Sequence, residues 1–149
     1  MSNKKKEFTI NGIDHIAIVP KDLEKAKNFF QLFFSAEPST EIIEDQNIKA
    51  HILPMSDKKT DNTEAKLEIL ESTDEEKSPI KNFYLKKGGG IHHVAVRVSN
   101  IEKAIDFLKD NKIAVINETP SKGAHNTRIS FVHPKSTGGI LLELVEKKS

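Results

Sequence analysis

Apolar positions in this chain change period several times, and the changes mark out its elements. In "IDHIAIV" (13–19) the β-branched residues Ile16, Ile18 and Val19 fill a short run closed by Pro20, the signature of a strand. From Asp22 the period lengthens: in "DLEKAKNFFQLFF" Leu23, Ala26, Phe29, Phe30 and Phe33 recur at helical spacing, which predicts an amphipathic helix capped by Asp22. Three strands are predicted next, in "STEIIEDQ", "IKAHILPM" and "AKLEILES", with polar "SDKKTDNTE" as the loop between the last two. "SPIKNFYLKKGGG" then reads as a short helix, with Ser78 as cap, Pro79 at the first helical position and glycines after the last turn.

The pattern then restarts. Shifted by 78 residues, "DHIAIVPKDLEKAKNFF" falls on "HHVAVRVSNIEKAIDFL" with six identities in seventeen positions: His15 on His93, Ala17 on Ala95, Glu24 on Glu102, Lys25 on Lys103, Ala26 on Ala104 and Phe29 on Phe107. One fixed offset that matches helix to helix is the mark of an internal repeat. "KIAVINE", "RISFVHP" and "GILLELVE" follow as the trailing strands of the second copy, and the last of them places Glu68 on Glu143 and Glu71 on Glu146 at a slightly different offset. The expectation is one domain, 1–149, built from two β-α-β-β-β modules at about 8–76 and 90–147 and joined by the helix at 78–87.

Composition narrows the chemistry. A chain of 149 residues buries a core without staples, and with no cysteine it has no disulfide, thiolate metal site or cysteine nucleophile. Any metal is held by nitrogen and oxygen. The 23 basic and 22 acidic residues are interspersed, which favours a small-molecule partner over nucleic acid or membrane. Basic "MSNKKKEF" leads into no apolar stretch of signal-peptide length, and no apolar run has membrane-spanning length, so a soluble cytoplasmic protein is expected.

Two adjacent histidines open the second copy, in "GGGIHHVAVRVSN". Neighbours on a strand point to opposite faces, so one position is structural if the other lines a site. The repeat selects His93, because its counterpart is His15, whereas His92 falls on Asp14. Each copy therefore supplies one histidine on its first strand and one glutamate on its last: His15 and Glu68, His93 and Glu143. Two imidazoles and two carboxylates suit a divalent ion and leave coordination positions open for water or a chelating substrate. The competing reading treats "ILLELVE" as an alternating strand, with Leu142 and Leu144 inward and Glu143 on a solvated face. Recurrence of all four donors at equivalent positions favours the metal.

These residues resemble the methylmalonyl-CoA epimerases of the vicinal oxygen chelate, or glyoxalase, superfamily over nearly the whole chain. The resemblance rests on "IDHIAI", on "KLEILE" with "SPIKNFYLKKGGGIHHVAV", and on "ETPSKGAHNTRISFVHPKSTGGILLELVE". It implies an α+β fold of two tandem βαβββ modules forming a cupped, half-barrel mixed sheet, and a homodimer. It also implies metal ligands at His15, Glu68, His93 and Glu143, with Co²⁺ first and Mn²⁺, Ni²⁺ or Zn²⁺ as alternatives. The implied reaction is proton removal and return at C2 of an acyl-CoA, with Glu143 as base on one side. Some epimerases carry a second glutamate at the position that is Ala50 here; His51 is adjacent, but alternation turns it to the opposite face unless a bulge intervenes. Glu68 is therefore the candidate opposing base. Lys135 and Ser136 in "HPKSTGG", with Lys122 and Arg128, are candidates to hold coenzyme A, while His125 and His133 have no assigned role. Glyoxalase I and a non-catalytic binding protein of the superfamily are the rival readings.

Overall fold

The computed structural model describes residues 5–57 and 64–148, so part of the expected loop at 56–64 lies outside the described residues. The chain divides into two compact units, His15–His92, and Met1–Asp14 with His93–Ser149. The divisions fall within β1 (Ile10–Val19) and β5 (Gly90–Val98).

In the unit of His15–His92, β1 leads into α1 (Leu23–Phe34), β2 (Ser39–Ile43), β3 (Ile48–Pro54), β4 (Lys66–Ser72) and α2 (Pro79–Lys87). Strand order is β2-β3-β4-β1, with β4 parallel to β1 and the other neighbours antiparallel. Asp22 caps α1 as expected, its carboxylate accepting from Lys25 N at 3.1 Å. Ser78 caps α2 in the same way, and Gly88 closes it with φ +69° in the left-handed region. At Gly89 a Cβ would stand 2.9 Å from Lys21 N and Val19 O, so only glycine lets this turn lie against the end of β1. The predicted strand through Gln46 stops at Ile43, because Glu44–Gln46 coil into a 3-10 turn that Asn47 ends at φ 54°.

The inner face of α1 is not the one the spacing indicates. Leu23, Phe30 and Phe34 pack on Leu53, Leu67 and Ile69, whereas Phe29 and Phe33 are exposed. These three side chains are half-buried, so each contributes part of the about 1.5–3 kcal/mol that full burial gives, and together they anchor the helix.

The other unit contains β5, α3 (Ile101–Asp110), β6 (Ser121–Lys122), β7 (Thr127–Val132) and β8 (Leu142–Lys147), in the order β5-β8-β7-β6. Again the first and last strands are parallel and the rest antiparallel. Asn100, the counterpart of Asp22, caps α3 through Lys103 N at 3.0 Å. Val98, Ile101, Ala104, Ile105, Val132 and Leu144 form the core beneath α3.

"KIAVINE" is not the strand that its apolar content predicts. It runs beside β7 with an isolated bridge, Val115 to Val132, and with Ile116 N donating to Phe131 O at 2.8 Å. Asn117 then replaces the backbone ladder: its amide oxygen accepts from Phe131 N at 2.7 Å, and its Nδ2 donates to Ile129 O at 3.2 Å. A side chain that occupies both backbone positions ends strand pairing there.

Candidate metal centre

Register decides which way each candidate faces. In the parallel β1–β4 ladder Ala17 lies beside Glu68, and His15 beside Lys66. Side chains two residues apart share a face, so His15, Ala17 and Glu68 project from one face of the sheet. The helix packs on the other face, through Ile18, Leu67 and Ile69. The second unit repeats the arrangement residue for residue: Ala95 lies beside Glu143, and His93 precedes Ala95 by two. Leu144 faces the α3 core, while Glu143 points away from it.

Both pairs are buried. His15 Nδ1 lies 3.3 Å from Glu68 Oε2, with each side chain about 7% exposed. His93 Nε2 lies 3.7 Å from Glu143 Oε2, at 7% and 6% exposure. Glu143 is thus not on a solvated face, because both faces of β8 are covered and alternation buries Leu144 on one side and the carboxylate on the other. In each pair the alanine beside the glutamate is fully buried, a small residue that leaves room above the sheet. Phe131, opposite Glu143 in the β7–β8 ladder, sets its ring edge-on to His93 at 5.4 Å.

Buried carboxylates and imidazoles are costly unless paired or coordinated. His15, His93 and Glu143 are buried groups whose donor atoms suit a metal ion, while Glu68 is buried against His15 and is not one of that group of three. Nitrogen and carboxylate oxygen without thiolate is the donor set of a borderline divalent ion. The 3.3 Å separation of His15 and Glu68 is also of the order that two adjacent ligands keep around an ion at about 2.1 Å. The residues fit the ion.

Other candidates are placed less simply. His92, on the opposite strand face from His93, sets its ring edge-on to Phe83 at 5.0 Å, and burial holds its pKa below the ordinary imidazole value. Ala50 lies on the face of Glu68 and is fully buried. The β3–β4 register runs unbroken from Ile48 to Pro54, so no bulge turns His51 inward; it faces the α1 side and bonds Glu71 at 2.8 Å.

Arg128 is taken up within its own unit. Its guanidinium bonds Glu146 at 2.6 and 3.0 Å and also Glu102, and it holds the Glu102 carboxyl below the usual range. Glu146 in turn accepts from Ile101 N at 2.8 Å, which ties β8 to the start of α3. His133 caps the turn Pro134–Ser136, accepting at Nδ1 from Lys135 N, and Ser136 Oγ accepts from Ala114 N. Lys135 and Lys122 are exposed. His125 and Asn126 both adopt positive φ, 56° and 58°, a strained pair that the sequence did not flag.

Similarity to known proteins matches this geometry. A profile of the Glyoxalase/Bleomycin resistance protein/Dioxygenase superfamily matches residues 14–131. A mitochondrial methylmalonyl-CoA epimerase of Bos taurus is 35% identical over 92% of this chain and 75% of its own length. The ethylmalonyl-CoA/methylmalonyl-CoA epimerase of Cereibacter sphaeroides is 34% identical over 91% of this chain and 97% of its own. A Streptomyces coelicolor methylmalonyl-CoA epimerase variant in complex with 2-nitronate-propionyl-CoA superimposes with a TM-score of 0.84 at 30% identity, covering 95% of this chain and 100% of that one.

Proposed function

The chain belongs to the methylmalonyl-CoA epimerase family of the glyoxalase superfamily, and on that premise we propose that it interconverts the (2R) and (2S) forms of methylmalonyl-CoA with the help of one divalent ion. The observation that carries the reading is the matched His–Ala–Glu register of β1–β4 and β5–β8, two buried donor pairs built to one plan. His15, Glu68, His93 and Glu143, one histidine and one glutamate from each of the modules at about 8–76 and 90–147, would hold the ion, with Co²⁺ first and Mn²⁺, Ni²⁺ or Zn²⁺ as alternatives. When bound, the ion supplies Lewis-acid stabilisation of the negative charge that develops on the substrate oxygens as C2 is deprotonated.

The chain's own residues move the proton. Glu143 removes it from C2 on one face of the thioester, and Glu68 delivers a proton on the other; in the second direction the roles exchange. Both carboxylates are buried, which excludes bulk water from the planar intermediate and keeps its reprotonation under their control. Ala50 contributes space on that face and no base. The exposed ammonium of Lys135 offers a contact for the coenzyme A phosphates, and Ser136 contributes by holding the turn that carries it. The proposal takes the protein as a cytoplasmic homodimer.

The test is proton NMR of methylmalonyl-CoA in D₂O with purified protein. Deuterium should enter C2 as the epimers interconvert, and a chelator should stop both. Absence of wash-in with saturating Co²⁺ would defeat the reading.

A further inference from the structure

The edge strand β2 alternates between its two faces: Thr40 and Ile42 are exposed, whereas Glu41 and Ile43 are half-buried on the other side. In the β2–β3 ladder Glu41 stands opposite Ala50, and in the β3–β4 ladder Ala50 stands opposite Leu70, two residues beyond Glu68. Residues opposite one another in antiparallel strands share a face. A second carboxylate, that of Glu41, thus projects from the face that carries His15 and Glu68, with Ala50 and Ile52 of β3 lying between.

The other unit is built differently at the same place. Counted from Glu143, the counterparts of Ala50 and Glu41 are Ile129 and Ser121. Ile129 is buried, and the turn at Gly123 lies so close over it that a Cβ there would stand 2.6 Å from Ile129 Cγ2. One unit fills this stretch of the face with a branched side chain and a turn; the other holds a methyl and a carboxylate. The fold does not demand Glu41.

We infer that Glu41 carries protons between solvent and Glu68. The inference rests on the epimerase reading, in which Glu68 gives up a proton in one direction and takes one up in the other. Glu68 is buried, so it has to be reset through the protein after each turnover. Glu41, half-buried on the same face, meets both the interior and water. Two strand spacings across and two residues along put the two Cα atoms about 12 Å apart, a gap that two glutamate side chains and a bridging water span. The methyl of Ala50 leaves the Glu41 side chain room to lean that way. In the reloading step the O–H bond of Glu41 breaks and its electron pair stays on the Glu41 oxygen. The proton passes through the water to the Glu68 carboxylate, and Glu41 takes a fresh one from solvent.

An inward charge on an edge strand also deters pairing between molecules, a role that needs no proton transfer. Kinetics separate the two. With metal-replete protein and methylmalonyl-CoA, Glu41→Gln should lower kcat roughly tenfold or more and kcat/KM much less, because at low substrate Glu68 has time to reset between encounters. Formate added at constant pH and ionic strength should restore kcat in this variant, since a small acid replaces the missing carboxylate, and should leave Glu68→Gln slow. Bound metal should match wild type.

Wild-type kcat in Glu41→Gln would overturn the inference, and self-association of that variant would then assign Glu41 to guarding the edge. Equal loss of kcat and kcat/KM without formate rescue would overturn it too. Absence of C2 exchange in the wild type would defeat the epimerase reading and the relay with it, whereas wild-type exchange with an unaffected variant defeats the relay alone. If Glu41→Gln fails to fold, Glu41→Ala with the same formate titration decides.

Discussion

Glu143 stands beside Ala95 in the parallel β5–β8 ladder, and both residues are buried, Ala95 fully. The same relationship joins Glu68 to Ala17 in β1–β4. A larger side chain at the alanine would occupy the space above the sheet into which the glutamate and its histidine project. Ala95→Val should therefore lower stability by about 1–3 kcal/mol through overpacking. It should also reduce the metal content of purified protein, and a urea titration with elemental analysis of the same sample checks both.

The two adjacent histidines should separate cleanly. His93→Ala removes one of four proposed ligands, whereas His92→Ala removes a ring that packs edge-on to Phe83 on the other strand face. Bound metal should fall to a small fraction of wild type in the first variant and stay near wild type in the second. Equal loss from both, measured at matched folded fraction, would contradict the assignment.

Glu68→Gln tests the proton assignment. An amide retains an oxygen ligand but cannot act as a base, so the metal should remain while C2 exchange slows by one to several orders of magnitude, the usual worth of general acid–base catalysis. The slowing should be unequal for the two epimers. Equal slowing would mean that Glu68 serves both faces alike and is not the opposing base.

Asn117 is expected to matter for the fold alone. Asn117→Ala leaves the Phe131 amide and the Ile129 carbonyl without the side chain that now satisfies them, at a cost of about 1–3 kcal/mol for a buried group left unpaired. Hydrogen exchange at Phe131 should accelerate at least in proportion, with little change at Ile18 in the other unit.

Much of this was readable from the chain because it is local or periodic. Asp22 and Ser78 announce helix starts by chemistry that acts within three residues. The offset of 78 that selects His93 over His92 needs only the order of residues. Even the orientation of His51 away from Ala50 follows from alternation, once the β3–β4 register is known to be unbroken.

What the chain alone determined, then, was two copies of one module, their helix caps, and a histidine and a glutamate at matching places in each. Tertiary structure decided the rest, because burial depends on what lies across the sheet and periodicity is blind to it. Covered on both faces, β8 buries Glu143 as fully as Leu144. Packing against Leu53, Leu67 and Ile69 chose Leu23, Phe30 and Phe34 as the inner stripe of α1 and left Phe29, Leu32 and Phe33 outside. "KIAVINE" has the apolar content of a strand, but the Asn117 side chain, reaching Ile129 and Phe131 of a strand more than ten residues on, took the hydrogen bonds that a strand would have needed.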